Sequence, residues 1–357
     1  MAPADERPPD ARRSRVTIKD VARTAGVSVT TASVVLNGRP TAIPVSDETR
    51  RRVLAASAGM DYRPNPFARS LRTGRSRTLG LLVTTIADPF TGEVTQSMDQ
   101  AARERGYRTL LMLTGLGLST VGQPASGAHP GQGFVDGALL VGFQLVGYAP
   151  FPGVAARHRG MITAIANDPD LPSFTMDMDA RHGVHAALRH LRELGHRRLA
   201  MIYDARHLAM HTRRAAFDEF IRDTGLPALP GAIGAAESGY YEDGAVSTER
   251  LLALPEPPTA ILAANDQLAI GALHAAWRRG LRVPNDLSIV GFDDIPMARY
   301  LTPPLTTMRQ PMEEMGRRTT NALIDLLEGH AAPSPVADLV LRPELIIRDS
   351  TAPPRTR

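Results

Sequence analysis

The sequence predicts an all-α helix-turn-helix head followed by an α/β domain with doubly wound parallel sheets. Two observations lead to this fold class. Residues 17–37 have the pattern of two short helices joined by a tight turn. From residue 79 onward, short apolar runs alternate with helical patterns. Continuous apolar strands that alternate with helices indicate parallel sheets buried on both faces.

The first helix of the head begins after Thr17, which has the residue type of an N-cap. Asp20 follows at the spacing of a capping box. Gly26 lies where a left-handed residue is needed to end the helix. Ser28 then caps a second helix that runs to about residue 36.

The second helix is unusual in its residue types. It contains three short polar side chains that form isolated helices poorly, namely Thr30, Thr31 and Ser33. Short side chains allow close approach to a DNA groove, and a helix-turn-helix places its second helix in the major groove. The alternative is a small αα-hairpin with no role in DNA binding.

A third helix is predicted after Ser46, where Val53, Leu54 and Ala58 would close a small core against the first two helices. Further along the chain, Asn65 followed by a proline has the pattern of a helix start. This helix would have barely two turns, which is too short to be stable alone.

The charge is distributed unevenly along the chain. Residues 1–78 hold 15 Lys+Arg and seven Asp+Glu, whereas the remaining residues hold 26 and 30. A basic head on a mildly acidic body is the distribution that phosphate binding by the head alone requires. The alternative is a solvated basic surface.

Composition excludes several classes of protein. The chain has no cysteine, so disulfides, thiolate zinc sites and cysteine nucleophiles are excluded. No run approaches 18 apolar residues, and the first 15 residues lack the apolar segment of a signal peptide. We therefore expect a cytoplasmic protein with no membrane partner, whose residues 1–15 form a disordered tail.

Seven apolar runs are expected to form strands: 79–83, 109–113, 138–141, 161–166, 199–203, 260–264 and 288–292. Helical patterns lie between many of them, at 93–105, 183–194, 213–224 and 267–279. In open α/β sheets, ligands bind beyond the carboxyl ends of the strands. Polar or aromatic candidates at such ends are Asp88, Phe90, Asn265 and Asp293.

Enzymatic and metal-binding interpretations of the sequence are less favourable. No nucleophile elbow, Walker loop or zincin motif occurs, so no catalytic residue is predicted. The pairs His182/His185 and His207/His211 have helix-face spacing, but neither has an obvious third ligand, and solvated histidines are favoured over a metal site. No cofactor is predicted. Asp266 and Asp294 are assigned to caps or other structural roles, and Phe292 and Trp277 to packing.

The string TIKDVARTAGVSVTTASVVLNG at residues 17–38 resembles the head of the LacI/GalR family of bacterial repressors. The resemblance implies that Val29, Thr30 and Val34 face base edges. It also implies that residues after Tyr62 form a hinge helix in which Leu71 wedges into the DNA minor groove. The family most often has an arginine at the position of Val34, and a valine cannot read guanine as an arginine can. The predicted DNA-binding residues are Thr17, Ser28, Val29, Thr30, Thr31, Ser33, Val34, Asn37, Tyr62, Asn65, Ala68, Arg69 and Leu71.

The resemblance also implies a two-lobed body of the periplasmic-binding-protein type, with the chain crossing between lobes near residues 176, 304 and 332. By the same match, Asp293, Asn265 and Arg213 are expected to bind a small-molecule effector. Asp179 falls in the family's V-D-N triplet, whose other members are replaced here. The predicted effector-binding residues are Asp88, Phe90, Asp179, Arg213, Asn265 and Asp293. Relatives have a charged helix at 114–133, whereas this stretch has no charged residue and favours a loop.

The predicted organisation is a tail at 1–15, a DNA-binding head at 16–63, a hinge helix and linker at 64–77, a two-lobed domain at 78–348 and a tail at 349–357, of which residues 351–357 are expected to be frayed. The predicted function is that of a homodimeric, sequence-specific DNA-binding regulator, a repressor of a pseudo-palindromic operator. A small molecule, expected to be a sugar, would control it, and the alternatives are a purine or no effector at all. The alternatives are a periplasmic-type sugar-binding protein and an enzyme on the same scaffold, for which paired Asp293 and Asp294 are the only hint.

Overall fold

The computed structural model describes residues 16–37, 45–63, 74–83, 85–113, 135–141, 162–166, 174–205, 208–227, 233–236, 241–330 and 340–355. The chain divides into two units at residue 76, a head and a body. The predicted hinge-helix residues Asn65, Ala68, Arg69 and Leu71 lie outside the described residues, as does the 114–133 stretch.

The head contains helices α1 (Ile18–Thr24), α2 (Val29–Asn37) and α3 (Asp47–Gly59). Its core is built from small apolar side chains of all three helices, namely Val21, Ala22, Ala25, Ala32, Val35 and Val53. The prediction that Leu54 and Ala58 close this core is wrong, because Leu54 is 49% exposed and Ala58 lies on the same outer face. Val53, Ser57 and Met60 share the inner face instead, three to four residues apart.

The first part of the body contains β1 (Thr78–Val83), α4 (Pro89–Glu104), β2 (Arg108–Leu113), β3 (Gly137–Val141), β4 (Ile162–Ala166), β5 (Phe174–Met178), α5 (Ala180–Glu193), β6 (Leu199–Asp204), α6 (Leu208–Thr224) and β7 (Ile233–Ala236). The remainder contains α7 (Tyr241–Leu252), β8 (Ala260–Ala263), α8 (Asp266–Arg278), β9 (Ser288–Asp293), a 3₁₀ helix (Pro296–Tyr300), β10 (Thr306–Arg309), α9 (Met312–Glu328), β11 (Val340–Leu341) and β12 (Glu344–Ile346).

These strands form two sheets, which define two lobes. The sheet of the first lobe has the order β11-β5-β4-β3-β1-β2, and that of the second lobe has the order β12-β10-β9-β8-β6-β7. Most neighbouring strands are parallel, as predicted. The pairs β3–β4, β4–β5 and β10–β12 are antiparallel. The apolar pattern could not reveal them, because a strand buried on both faces has the same composition in either direction.

The first crossing between the lobes lies close to its predicted position near 176, whereas the other two differ from those predicted. β5 belongs to the first sheet and α5 packs on the second, so the first crossing is at Asp179. The second crossing is at 310–311, between β10 and α9, rather than near 304. The third is at 342–343, between β11 and β12, rather than near 332. β10 is short and mostly polar and β11 has only two residues, so the apolar pattern did not indicate that either strand extends its sheet.

The prediction of a frayed tail from residue 351 is wrong for the described residues. Ser350 is fully buried, and its hydroxyl donates a hydrogen bond of 2.6 Å to the carbonyl of Ile289. The imidazole of His196 lies 2.9 Å from the carbonyl oxygen of Ala352, and that of His190 lies 3.0 Å from the Thr351 hydroxyl. These contacts fasten the C-terminal segment to the second lobe.

The described helices include none that is long and apolar enough to cross a membrane.

Candidate functional site

The first candidate site is the outer surface of the head, which depends on two helix caps. The Asp20 carboxylate accepts hydrogen bonds from the backbone N–H and the hydroxyl of Thr17, at 3.0 Å and 2.7 Å. These bonds lower the pKa of Asp20. At α2, the Ser28 hydroxyl oxygen accepts a hydrogen bond of 3.0 Å from the N–H of Thr31. Both caps lie at the residues that the sequence indicated.

Helix α2 buries one side and exposes the other. Ala32 and Val35 are buried in the head core, whereas Val29 is 42% exposed and Thr30 is also exposed. The side chains of Thr31, Ser33 and Val34 are half-buried, and the structure describes only the backbone of Asn37. Tyr62 is also half-buried, packs against the head core, and its carbonyl accepts a bond of 3.1 Å from Ser57. The surface around Val29 and Thr30 is therefore the part of α2 that can reach a ligand.

The second candidate site lies in the body and centres on a buried arginine of α6. Arg213 is 4% exposed, and its Nη1 donates a hydrogen bond to the carbonyl of Ala264, directly after β8. Nη1 also lies 3.9 Å from Oδ1 of Asp293, at the end of β9. Burial lowers the pKa of Arg213, while Asp293, Asp266 and Asp88 oppose this shift.

Asp293 is a buried acid of this site. The residue is 5% exposed, and its Oδ1 accepts a hydrogen bond of 2.5 Å from Nε2 of Gln310. Burial raises the pKa of Asp293 well above its ordinary value, and the charge of Arg213 only partly offsets this effect. The neighbouring carboxylates of Asp266 and Asp88 raise it further. Perturbed acids of this kind are typical of functional sites.

Two other predicted residues lie at the starts of helices. The Asp88 carboxylate caps α4, accepting from the N–H groups of Phe90 and Thr91, and its charge acts on both Arg213 and Asp293. The Asn265 side chain caps α8 by accepting a bond of 2.8 Å from the N–H of Leu268. Asp88 belongs to the first lobe and Arg213 and Asp293 to the second, so the site brings polar groups of both lobes together.

Phe90 and Asp179 have different surroundings. Phe90 is 8% exposed and packs in the core of the first lobe. Asp179 caps α5 through the N–H of His182, and its Oδ2 lies 3.6 Å from Nε of Arg342. It lies at the first crossing between lobes, and its contacts with Arg342 join that crossing to the third.

Sequence analysis missed Gln310, which is 3% exposed and leaves its Oε1 without a hydrogen-bond partner. Gln310 follows β10, a strand that was not predicted, and the position directly after a strand was the available signal. Burial raises the pKa of Asp266 to about 6. Its carboxylate accepts bonds from the Thr307 hydroxyl at 2.5 Å and the Ile295 N–H at 2.9 Å, which agrees with a structural role.

The backbone is strained where the acids meet. Asp293 has a φ of 128° and Asp294 a φ of 58°, both in a region that residues other than glycine rarely adopt. The Asp294 carboxylate is held by Arg309 at 2.7 Å and Arg348 at 2.6 Å. Asp294 therefore has a structural role, and the pair of carboxylates that hinted at an enzyme is not available as an acid–base pair.

Two of the four histidines in the predicted pairs lie close to backbone carbonyl oxygens. His185 Nε2 lies 3.1 Å from the carbonyl oxygen of Ala216, and His211 Nε2 lies 2.5 Å from that of Ala205. His182 is exposed, and His207 lies outside the described residues. Within the part of the chain that the structure describes, no cluster of three metal-ligating residues occurs.

Comparison with known proteins adds independent findings. A family model described as bacterial regulatory proteins of the lacI family matches residues 17–65, and a periplasmic binding protein-like domain matches residues 188–351. The HTH-type transcriptional repressor CytR of Escherichia coli strain K12 is 33% identical over 352 residues, covering 95% of this chain and 97% of CytR.

Two solved structures resemble this one. A transcriptional regulator CelR–cellobiose complex is 29% identical with a TM-score of 0.65, covering 94% of this chain and 100% of CelR. A lac repressor dimer bound to operator and the anti-inducer ONPF has a TM-score of 0.75 over 95% of this chain and 100% of its own. Its identity is 22%, so this second likeness shows the fold alone.

The helix-turn-helix head, the two-lobed body and the extent of the identity with CytR lead to one conclusion. The protein belongs to the lacI family of bacterial regulatory proteins.

Proposed function

We propose that the protein is a transcriptional repressor whose affinity for a pseudo-palindromic DNA operator is controlled by a small molecule bound between its two lobes. One observation carries the effector half of this proposal. Asp88 of the first lobe acts electrostatically on Arg213 and Asp293 of the second lobe. A molecule bound among these groups would contact both lobes and therefore stabilise one arrangement of the lobes over another.

The DNA half rests on the head. Its helix-turn-helix places Val29 and Thr30 on the exposed side of α2, where they can reach base edges in a major groove. Residues 1–78 carry a net charge of +8, which supplies the attraction to phosphates. The proposed DNA-binding residues are those predicted above: Thr17, Ser28, Val29, Thr30, Thr31, Ser33, Val34, Asn37, Tyr62, Asn65, Ala68, Arg69 and Leu71.

A sugar is the effector that the site favours. The Asp293 carboxylate and Oε1 of Gln310 are hydrogen-bond acceptors, and the guanidinium of Arg213 is a donor. Sugar hydroxyls both donate and accept, so they match this mixture, and the similar CelR was solved with cellobiose. We propose Asp88, Arg213, Asn265 and Asp293 as the direct ligands. Phe90 and Asp179 support the site from the first-lobe core and the first crossing.

The proposed repressor acts as a homodimer, since a pseudo-palindromic operator requires two heads related by twofold symmetry. Two aromatic residues of the second lobe support a second copy as the partner. Trp277 is 73% exposed and Tyr300 is 76% exposed, so the prediction that Trp277 is internal packing is wrong. Sedimentation of the Trp277→Glu variant should give a monomer if Trp277 lies in the contact between the two copies. A Glu substitution at Ile347, which is 61% exposed, serves as the control.

The function is tested by a genomic-fragment pull-down with the purified full chain, repeated with a panel of sugars. We expect one palindromic sequence to be enriched and one sugar to change its recovery. The Asp293→Asn variant should enrich the same palindrome but lose the response to the sugar, because the head is unaltered.

The outcomes separate the two halves of the proposal. Salt-sensitive binding to all fragments alike, at every sugar concentration, would overturn the role in specific DNA binding. An enriched palindrome that no sugar affects would leave the DNA role in place and overturn the sugar as effector. Equal responses of the wild type and Asp293→Asn would overturn the assignment of the site.

A further inference from the structure

The inference concerns Phe292, a fully buried residue of β9 that the sequence assigned to packing. Its ring has a second role in the structure, because the guanidinium carbon of Arg213 lies 3.8 Å from the ring centroid. A buried cation over an aromatic face is attracted by the ring quadrupole, and this attraction increases when both groups are removed from water. The Phe292 ring therefore packs against the Arg213 guanidinium at the centre of the proposed effector site.

The backbone explains how two successive residues reach one guanidinium. Side chains of a regular strand alternate between opposite faces of the sheet. Asp293 has a φ of 128°, which is outside the range of a strand, and the chain turns there. The ring of Phe292 and the carboxylate of Asp293 consequently both lie within 4 Å of Arg213, at 3.8 Å and 3.9 Å.

The edge of the same ring faces the crossings between the lobes. A Cβ atom added to Gly183 of α5 would lie 3.0 Å from Cε2 of Phe292 and 2.6 Å from Cγ of Pro343. Gly183 follows the first crossing by one helical turn, and Pro343 belongs to the third crossing. Only a glycine at position 183 allows α5, the Phe292 ring and Pro343 to approach one another so closely. The ring thus lies between Arg213 on one side and chain crossings on the other.

We propose that Phe292 is a positioning residue of the effector site, which holds the Arg213 guanidinium in place and links its position to the crossings through Gly183 and Pro343. The proposal rests on the proposed function in one respect, since it takes Arg213 as an effector ligand. A leucine could fill part of the space, but it offers no face to a cation. The ring therefore contributes more than volume.

The test replaces Phe292 by pentafluorophenylalanine in the full chain. This residue keeps nearly the same shape but inverts the quadrupole, so a role in packing alone would be preserved. The readout is the Nε–H signal of Arg213 in the ¹⁵N spectrum, assigned by its loss in Arg213→Lys. We expect the signal to move and its solvent exchange to become about tenfold faster. The matched control is the same replacement at Phe174, which is buried in the core of the first lobe.

A second variant tests the link to the crossings. Pro343→Ala removes the Cγ atom that approaches Gly183, and we expect it to move the Arg213 signal as well. Pro354→Ala, at an ordered proline in the C-terminal segment, should leave the signal unchanged. If neither Phe292 nor Pro343 replacement moves the signal, or if the controls move it equally, the inference is wrong. These measurements use the protein without DNA or sugar, so their failure is distinct from failure of the pull-down.

Discussion

Nε2 of Gln310 donates a hydrogen bond of 2.5 Å to Oδ1 of Asp293, and the backbone N–H of Gln310 donates a second one, of 3.2 Å, to the Asp293 carbonyl. Gln310 lies at the second crossing between the lobes, whereas Asp293 is the central acid of the proposed effector site. A molecule bound to Asp293 would therefore act on a residue that is hydrogen-bonded to the second crossing. We propose this pair of hydrogen bonds as the route by which an effector changes the arrangement of the lobes.

Replacing Gln310 by leucine should weaken the response to effector. The variant removes a side-chain hydrogen bond, a bond worth about 0.5–1.5 kcal/mol, so the sugar concentration for half-maximal operator release should rise by up to about tenfold. The measurement is operator release by the sugar that the pull-down selects. Gln100→Leu, on the exposed side of α4, is the control. An unchanged release curve for Gln310→Leu would contradict the proposed route.

The stability of the body should depend on pH through Asp266. Its pKa in the folded protein is about 6, against 3.8 ordinarily, so the folded state keeps a proton that the unfolded chain releases. The free energy of unfolding should therefore fall by about 3 kcal/mol as the pH rises from about 4 to above 6.

Asp266→Asn should reduce the slope of this part of the pH profile, and Asp293, whose pKa is also raised, contributes the slope that remains. Asparagine can accept from the Ile295 N–H and donate to the Thr307 hydroxyl, as protonated Asp266 can, but it carries no charge at any pH. The measurement is urea unfolding of both proteins between pH 4 and pH 8. The same slope in the two proteins would show that another group causes the dependence.

Gly271→Ala should strongly destabilise the second lobe. Helices α7 and α8 touch at this glycine, where an added Cβ would lie 2.0 Å from the carbonyl oxygen of Tyr241 and 2.9 Å from Cα of Gly244. Because backbone atoms cannot yield as side chains do, we expect a loss of about 3 kcal/mol.

Gly92→Ala is the matched control for this variant. Gly92 lies in α4 with nothing within 4 Å of the added atom, so alanine should be neutral or stabilise by up to about 1 kcal/mol. Urea unfolding followed by circular dichroism measures both variants. Similar losses for the two would mean that close packing of α7 on α8 is not the cause.

Val34→Arg should change which operator the protein prefers. Val34 is half-buried on α2, and an arginine on this helix can donate two hydrogen bonds to guanine, which valine cannot. One bidentate contact contributes about 1–3 kcal/mol of discrimination, so selected sequences should gain a guanine at one position of each half-site. Parallel selection experiments with the two proteins measure this. An identical consensus from both would show that residue 34 does not face a base.

The sequence by itself determined the features that depend only on residues close together along the chain. Thr17 with Asp20 and Ser28 with Thr31 form caps because the partners are three residues apart, and a helix start needs no distant residue. The alternation of apolar runs and helical patterns predicted the mostly parallel sheets of the body for the same reason. Asp88 and Asn265 follow the ends of β1 and β8 within a few residues, and Asp293 ends β9, so their place near the carboxyl ends of strands was also visible in the sequence.

Tertiary structure decided the features that join distant residues. Arg213 and Phe292 are 79 positions apart, and only the order of β6, β8 and β9 in the second sheet brings α6 over the end of β9. Gln310 became part of the site because the second sheet extends through β10, a strand too short and polar to be predicted. Burial then set the pKa of Asp266 and Asp293. A pattern of residue types determines which groups reach a strand end, but desolvation and long-range pairing depend on the packing of the whole domain.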